Sequence, residues 1–165
     1  AQPLVRVETP SRARVYAERG LEIARERDDW AWQLTFLTHL GAADLSAQRL
    51  EEAHEHFSAA MTLAQNTQDE AAQAQLQGRL GVMLAEMRRL PEAIAATDQA
   101  LAMAEALGDQ RLAGEQQIQL AFLWRDSDDM VKAVACCRAA AASFESCGDE
   151  AFAAKARALL EELGA

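Results

Sequence analysis

Aromatic side chains are scarce in this sequence, at 5% of residues, although half of the residues are hydrophobic. A core with so few aromatics must be filled by alanine, leucine and methionine, which favours closely packed helices over a sheet. Turn-forming residues are also few: the chain of 165 residues has eight glycines and three prolines, too few for a fold of many short strands. The residues that dominate are strong helix formers. We therefore expect an all-α protein.

Positive charge is scarce as well, since 16 lysines and arginines face 26 acidic residues and leave a formal net charge of −10. Nucleic-acid binding depends on clustered cations, so this balance argues against a nucleic-acid partner, and it disfavours docking to anionic membranes. No apolar run approaches the roughly eighteen residues of a membrane span. The three cysteines, two of them adjacent, do not suit a disulfide framework and favour a cytoplasmic location.

Motifs for catalysis, phosphate binding and metal binding are missing. No glycine-rich phosphate loop, nucleophile elbow or nucleophile-base pair is visible, so we expect neither enzymatic activity nor a cofactor. His54 and His56 lie two residues apart, which makes them diverge on a helix, and solvated surface is favoured over a metal site. Cys136, Cys137 and Cys147 could form a thiol switch, but their positions in the repeat favour inert packing.

A register of forty residues organises the chain. Its columns include the aspartates Asp29, Asp69, Asp109 and Asp149, the alanines Ala13, Ala53, Ala93 and Ala133, and the leucines Leu40, Leu80, Leu120 and Leu160. Between these columns apolar residues recur at intervals of three and four, which is typical of helices with one buried stripe. Each repeat is therefore predicted to be a pair of helices.

The predicted organisation is an extended or mobile segment over residues 1–10 and a single helical domain over residues 11–165. The domain is expected to comprise a helix over 11–28, helix pairs over 30–67, 70–107 and 110–147, and a terminal helix over 150–163. The first and last helices lack a partner within the repeat pattern. They indicate either a piece of a longer array or a pair of capping helices.

Turn residues mark the ends of the predicted helices. Pro91 fits the first turn of a helix, where its missing N–H removes no internal hydrogen bond. Gly108 and Gly148 fit left-handed helix ends, each followed by an aspartate that can cap the next helix. Asp28 and Gln68 stand in the same column without glycine. We expect those two turns to be less well closed.

The repeats resemble the tetratricopeptide repeat, which carries Leu-Gly in its first helix and alanine, an aromatic and alanine in its second. The matching stretches are "HLGAADL" with Ala53, Phe57 and Ala60, "RLGVMLAEMRRLPEAI" with Ala93, Thr97 and Ala100, and "QLAFLW" with Ala133, Cys137 and Ala140. The repeat is longer than the family's usual length of about thirty-four residues. The resemblance runs from about residue 11 to the end and implies a right-handed α-solenoid of antiparallel helix pairs, with about eight helices.

The resemblance also implies where a partner would bind, because first helices of successive repeats line a concave groove in this family. The groove positions include Thr38, Val82, Glu86, Glu115, Ile118, Phe122, Arg125 and Lys155. An apolar centre flanked by charges would suit an extended or helical peptide. The alternative for Phe122 is that it packs under a neighbouring helix.

Trp30 and Trp32 occupy columns of different character in the forty-residue register. Trp30 stands where the other repeats have Glu or Gln, so it is either an exposed contact residue or a side chain that lies over its neighbours. The Trp32 column continues as Leu112 and Phe152, which indicates a core position. We expect Trp32 to be buried.

Two classes of function follow from this resemblance. The first is a non-enzymatic scaffold that binds a protein or peptide segment in its groove, as part of a longer polypeptide. The alternative is a ligand-sensing regulatory domain of a bacterial signalling or transcriptional regulator. Self-association through the unpaired terminal helices is a further expectation.

Overall fold

The computed structural model describes residues 12–164, so the segment predicted over residues 1–10 lies outside the described residues. Within 12–164 the chain forms eight helices and no strand, which confirms the all-α prediction. The helices are α1 (Arg12–Glu26), α2 (Trp30–Ser46), α3 (Leu50–Asn66), α4 (Glu70–Glu86), α5 (Leu90–Leu107), α6 (Gln110–Asp126), α7 (Met130–Ser146) and α8 (Glu150–Glu162). By register, α2, α4, α6 and α8 are first helices of a pair, and α1, α3, α5 and α7 are second helices.

The helices are joined by one recurring turn. Helices α2 to α8 begin at residues 30, 50, 70, 90, 110, 130 and 150, so the backbone repeats twice within each forty-residue register. Each turn contains one left-handed residue with φ between 53° and 77°, at positions 28, 48, 68, 88, 108, 128 and 148. The N–H of the following residue donates to the carbonyl five residues back, as in Arg89 to Leu84 at 2.9 Å. This bond satisfies a carbonyl that the end of the helix would otherwise leave unpaired.

Glycine is not needed to close these turns. The N–H of Asp69, after Gln68, donates to the Ala64 carbonyl at 2.9 Å, and the N–H of Asp109, after Gly108, donates to the Ala104 carbonyl at 2.9 Å. The expectation that the turns at Asp28 and Gln68 close less well is therefore wrong. These turns differ from the glycine turns in their backbone energy. A residue with a Cβ is destabilised by about 1 kcal/mol in the left-handed conformation, which glycine adopts without strain.

The aspartate column is a column of helix caps. Its side chains accept hydrogen bonds from backbone N–H groups three residues on: Asp29 from Trp32 at 3.2 Å, Asp69 from Ala72 at 3.0 Å, Asp109 from Leu112 at 2.9 Å and Asp149 from Phe152 at 3.3 Å. Such a cap stabilises a helix by about 1 kcal/mol. Every first helix therefore begins with the cap that the register predicts.

The chain divides into two compact units, residues up to 60 and residues from 61 onward. In the first unit α1 packs against α2. Buried leucines of α2, among them Leu34, Leu37 and Leu40, supply much of the apolar interior of this unit. The Phe57 side chain of α3 is also buried there.

The second unit is a stack in which each helix from α4 to α8 packs against the next. Small residues allow the close approach, as at Gly114, where an added Cβ would lie 2.8 Å from the ring of Phe144. The Phe144 ring is fully buried, in a cluster with Ala140, Ala153 and Ala156. The buried residues are mainly alanine and leucine with Met83, and Phe144 is the one buried aromatic among the described residues of this unit, in agreement with the core predicted from composition.

Candidate functional site

One face of α6 carries a continuous stripe of side chains. The stripe consists of Arg111, Glu115, Ile118, Phe122 and Arg125, at intervals of four and three residues, which places them on one side of the helix. Ile118 is half-buried and the other four are exposed. Four of the predicted groove residues therefore share one face with Arg111, which was not among them.

Phe122 is the exposed aromatic of this stripe. Its side chain keeps 40% of its surface exposed, so the alternative that it packs under a neighbouring helix is wrong. The guanidinium carbon of Arg125 lies 5.0 Å from the ring centroid, and Arg125 Nη2 lies 3.2 Å from Asp126 Oδ1. A cation over an aromatic face contributes about 0.5–1 kcal/mol at an exposed position. Phe122 thus presents apolar surface bordered by a cation and an anion.

Phe152 connects α8 to this stripe. Two cations lie close to its ring, with Lys155 Nζ 4.6 Å and Arg111 Cζ 5.5 Å from the ring centroid. The ring also packs against the buried cluster that holds Phe144, at a centroid distance of 5.3 Å from the Phe144 ring. Sequence reasoning assigned the Phe152 column to the core, whereas the ring is half-buried. The sequence did contain a signal that this ring is not buried. Lys155 follows Phe152 by three residues on the same helix, so its ammonium group can lie over an exposed ring.

The other predicted groove residues occupy different helices. Val82 is half-buried and Glu86 is exposed, one turn apart on α4. Helix α4 lies against α6, where Gln119 Nε2 donates to the Gly78 carbonyl at 3.4 Å. Thr38 belongs to α2 in the first unit, and its hydroxyl donates to the Leu34 carbonyl at 2.8 Å.

Ile118 has a structural role that the groove prediction did not include. Its side chain packs against the cluster that holds Phe144, and also against the cluster of Ala121, Cys137 and Leu159. Part of the Ile118 side chain therefore packs against the core of the second unit. The exposed apolar surface of the stripe comes mainly from Phe122.

A buried ionic cluster in the first unit was not predicted. Asp44 has no solvent exposure, and its carboxylate contacts Arg14, Arg49 and His56. Arg49 lies 3.0 Å from Oδ1, Arg14 pairs with the same oxygen, and His56 Nδ1 lies 2.7 Å from Oδ2. The interpretation of His56 as solvated surface is therefore wrong, because it is half-buried against a carboxylate.

The register shows how unusual this cluster is within the chain. The position one repeat after Asp44 is Leu84, and the position one repeat after His56 is Ala96. Leu84 and Ala96 are buried together in an apolar cluster. A single acidic residue in an otherwise apolar column was the sequence signal that could have revealed it.

The thiols differ from one another. Burial, aided by the charge of Asp98, raises the pKa of Cys136 to about 11, and burial raises the pKa of the fully buried Cys137. Both are therefore poor thiolates, as inert packing predicts. Cys147 is exposed, so the packing expectation is wrong for it; its thiol donates to the Phe144 carbonyl at 3.3 Å.

A surface cavity of about 290 Å³ lies between α1 and α2, and we call it the α1/α2 slot. It is lined by Gly20, Ile23, Ala24, Arg27, Asp29, Trp32 and Phe36. Trp32 is 56% exposed and stacks on Phe36 at a centroid distance of 5.5 Å, so its predicted burial is wrong. Trp30 is also exposed, which agrees with the first of its two interpretations, an exposed residue, and not with a side chain covered by its neighbours.

The exposure of Trp32 has a geometric cause. Leu112, in the same column, is covered by Ala74 from α4, the first helix of the preceding pair. The described residues contain no helix before α1 that could cover Trp32 in this way.

Within residues 12–164 no cluster of three or more His, Cys, Asp or Glu side chains could hold a metal ion. In the same described range, no helix has both the length and the apolar character that crossing a bilayer requires. The α6 stripe, Lys155 of α8 and the α1/α2 slot lie on the surface of the described residues.

These observations define an all-α, solenoid-like protein. No family model matches the chain, and no curated protein was found to match it. Among solved structures it is similar to the crystal structure of BtubC (BKLC) from P. vanneervenii, with a TM-score of 0.80 and 18% sequence identity. The similarity covers 92% of this chain and 64% of the BtubC chain, so this chain spans less than two thirds of that protein. At this identity the likeness shows the fold alone.

Proposed function

We propose that this chain is a non-enzymatic interaction module of the tetratricopeptide type, part of a longer cytoplasmic polypeptide. It binds a protein or peptide segment along α6 and α8. The observation that carries this proposal is the α6 stripe, in which the large apolar side chain of Phe122 stays 40% exposed among charged side chains. Exposed aromatic residues beside arginine are typical of the residues that dominate binding energy at interfaces.

The charges of this face indicate the chemistry of the segment. Arg111, Arg125 and Lys155 bring three cations to α6 and α8 in a chain of net charge −10. Two of them are balanced locally, since Arg111 Nε lies 3.5 Å from Glu115 Oε1 and Arg125 pairs with Asp126. A segment with an apolar anchor for Phe122 and an acidic group for Lys155 fits this arrangement. Helices that are already formed lose little conformational freedom on binding, which favours affinity.

Affinity capture with two matched double variants tests the proposal. Phe122→Ala with Arg125→Ala removes the aromatic and the cation of the stripe. Val131→Ala with Arg138→Ala removes an exposed apolar residue and an exposed cation from α7, where Val131 is 81% exposed. We expect a protein captured by the unaltered chain to be lost with the stripe variant and retained with the α7 variant. Equal retention by both variants would refute the proposed face.

A further inference from the structure

Helix α6 is the middle first helix of the second unit, so the exposure of its stripe does not depend on where the chain begins or ends. It packs against α4, α5 and α7, and α8 follows it in the chain. The position of Lys155 on α8 is of the same kind, because its counterparts forty and eighty residues earlier, Glu115 and Gln75, are exposed as well. The α6 stripe and Lys155 are therefore open surface of the stack itself.

The stripe has the spacing along which one helix can follow another. From Arg111 to Arg125 its members are separated by four, three, four and three residues. This spacing averages about 3.5 residues, the period that keeps a row of side chains facing a second helix over its whole length. At 1.5 Å per residue the row is about 21 Å long, which a partner helix of about four turns matches.

The polar side chains of the stripe are charged and have neighbours of opposite charge. Arg111 Nε lies 3.5 Å from Glu115 Oε1. Arg125 Nη2 lies 3.2 Å from Asp126 Oδ1. None of these side chains is an amide or a hydroxyl, the neutral groups that can both donate to and accept from a peptide backbone.

The amides in the middle of α6 are directed to other helices. Gln117 Oε1 accepts from the Ser143 hydroxyl at 2.8 Å, and Gln119 Nε2 donates to the Thr97 hydroxyl at 3.1 Å. Gln116 is buried. An extended segment would therefore find no amide or hydroxyl on the stripe to replace the water that its backbone groups give up. A helical segment pairs its backbone groups internally and needs none.

The side chains of the stripe also define the chemistry of the bound face. Ile118 and Phe122 stand one turn apart near its centre, whereas Arg111 lies at one end. Lys155 belongs to that end, because its Nζ and the Arg111 guanidinium both lie close to the Phe152 ring. In the described part of the chain no carboxylate forms a salt bridge with Lys155. From Phe122 to Arg111 the distance along the helix is about 16 Å, or about three turns.

We infer that the segment bound by the α6 stripe is an amphipathic helix that runs along α6. Two apolar residues one turn apart cover Ile118 and Phe122, and an acidic residue about three turns from the residue that meets Phe122 pairs with Lys155. This inference rests on the proposed function and adds the conformation and the side-chain spacing of the partner segment.

Selection from two displayed peptide libraries, with the full chain as the immobilised target, tests the inference. Both libraries hold peptides of about eighteen residues, one on an alanine-rich helical scaffold and one with proline at every third position, which keeps the backbone extended. Removing the peptides that also bind the Phe122→Ala, Arg125→Ala variant leaves those that need the stripe. We expect the tightest of these to come from the helical library, and a proline at the centre of such a peptide to weaken its binding about tenfold or more.

The outcomes separate this inference from the proposed function. Stripe-dependent peptides that bind more tightly from the extended library would overturn the inference and leave the proposed function standing. A selection that yields no stripe-dependent peptide from either library would overturn both.

The position of the acidic residue in a selected peptide gives a second readout, measured by fluorescence anisotropy. Moving it by two residues turns it to the other side of a helix but keeps it on the same side of an extended strand. We expect this shift to weaken binding about fivefold. Lys155→Glu should weaken binding at least as much, and lysine in place of the acidic residue should restore it. Arg138→Glu, at an exposed cation of α7, should leave the affinity unchanged. An affinity that follows a period of two residues would overturn the inference.

Discussion

Nδ1 of His56 lies 2.7 Å from Oδ2 of Asp44, a carboxylate with no solvent exposure. Arg14 from α1 and Arg49 from the turn after α2 contact the other carboxylate oxygen. The Asp44 carboxylate therefore contacts basic side chains from α1, from the turn between α2 and α3, and from α3. Removing this carboxylate should lower the free energy of unfolding by more than removing an exposed charge.

Replacing Asp44 by asparagine should lower the free energy of unfolding by about 1.5–3 kcal/mol, because it removes the buried carboxylate that Arg49 and His56 contact and one of the two carboxylates that Arg14 contacts. Urea denaturation followed by circular dichroism measures the change. Glu55→Gln, which removes an exposed charge from α3, should change the stability by no more than about 0.5 kcal/mol. A loss below about 1 kcal/mol for Asp44→Asn would show that the cluster contributes little.

The same cluster should make the first unit sensitive to acid. Burial acts to raise the pKa of Asp44, but hydrogen bonds from Arg14, Arg49 and His56 outweigh it, and the pKa lies below its ordinary value of 3.8. The stabilisation is therefore complete above that ordinary value and is lost as the pH falls through the lower folded-state value. The difference in unfolding free energy between the unaltered chain and Asp44→Asn should be largest near pH 7 and should shrink at pH 3. A difference that stays constant would contradict this linkage.

Gln68→Gly should stabilise the protein by about 0.5–1 kcal/mol, because Gln68 holds a left-handed backbone with φ 56° that glycine adopts without strain. Chemical denaturation again measures the change. Gln65→Gly, the same substitution in the last turn of α3, should give no stabilisation, because glycine is a poorer helix former than glutamine. If the two substitutions had equal effects, left-handed strain at Gln68 would not be the cause.

The three cysteines should react with alkylating reagents at different rates. Cys147 is exposed, whereas burial raises the pKa of Cys136 to about 11 and Cys137 is fully buried. Brief treatment of the native protein with iodoacetamide, read by peptide mass spectrometry, should therefore modify Cys147 first. Modification of Cys137 at a similar rate would show that the second unit opens readily.

The forty-residue register predicted the helical class and the aspartate caps, because both depend on residues close in sequence. It did not predict the turns in the middle of each pair, since Gln48, Arg88 and Asp128 take the left-handed conformation without glycine. Nor could it predict the Asp44 cluster, whose most distant member, Arg14, is thirty residues away. Contacts of that kind depend on how helices face one another, which the spacing of residues along one helix does not determine.

The partner-binding stripe was located by a resemblance to a family, and only part of it follows from periodicity. Spacing places Glu115, Ile118, Phe122 and Arg125 on one face, but whether that face is covered depends on the neighbouring helices. Trp32 shows the difficulty, because its column is buried at Leu112 and exposed at Trp32. The register predicts which positions repeat along the chain. Whether a given position is exposed depends on the helix that packs over it, as the difference between Leu112 and Trp32 shows.

Site-specific photo-crosslinking tests the central claim, that the α6 stripe contacts the partner, most directly. A benzophenone amino acid replaces Phe122 in one variant and Val131, the exposed residue of α7, in another. After irradiation with the protein obtained by affinity capture, we predict an adduct at position 122, mapped to one segment of the partner, and little or none at position 131. Equal adducts at both positions, or an adduct at position 131 alone, would contradict the claim.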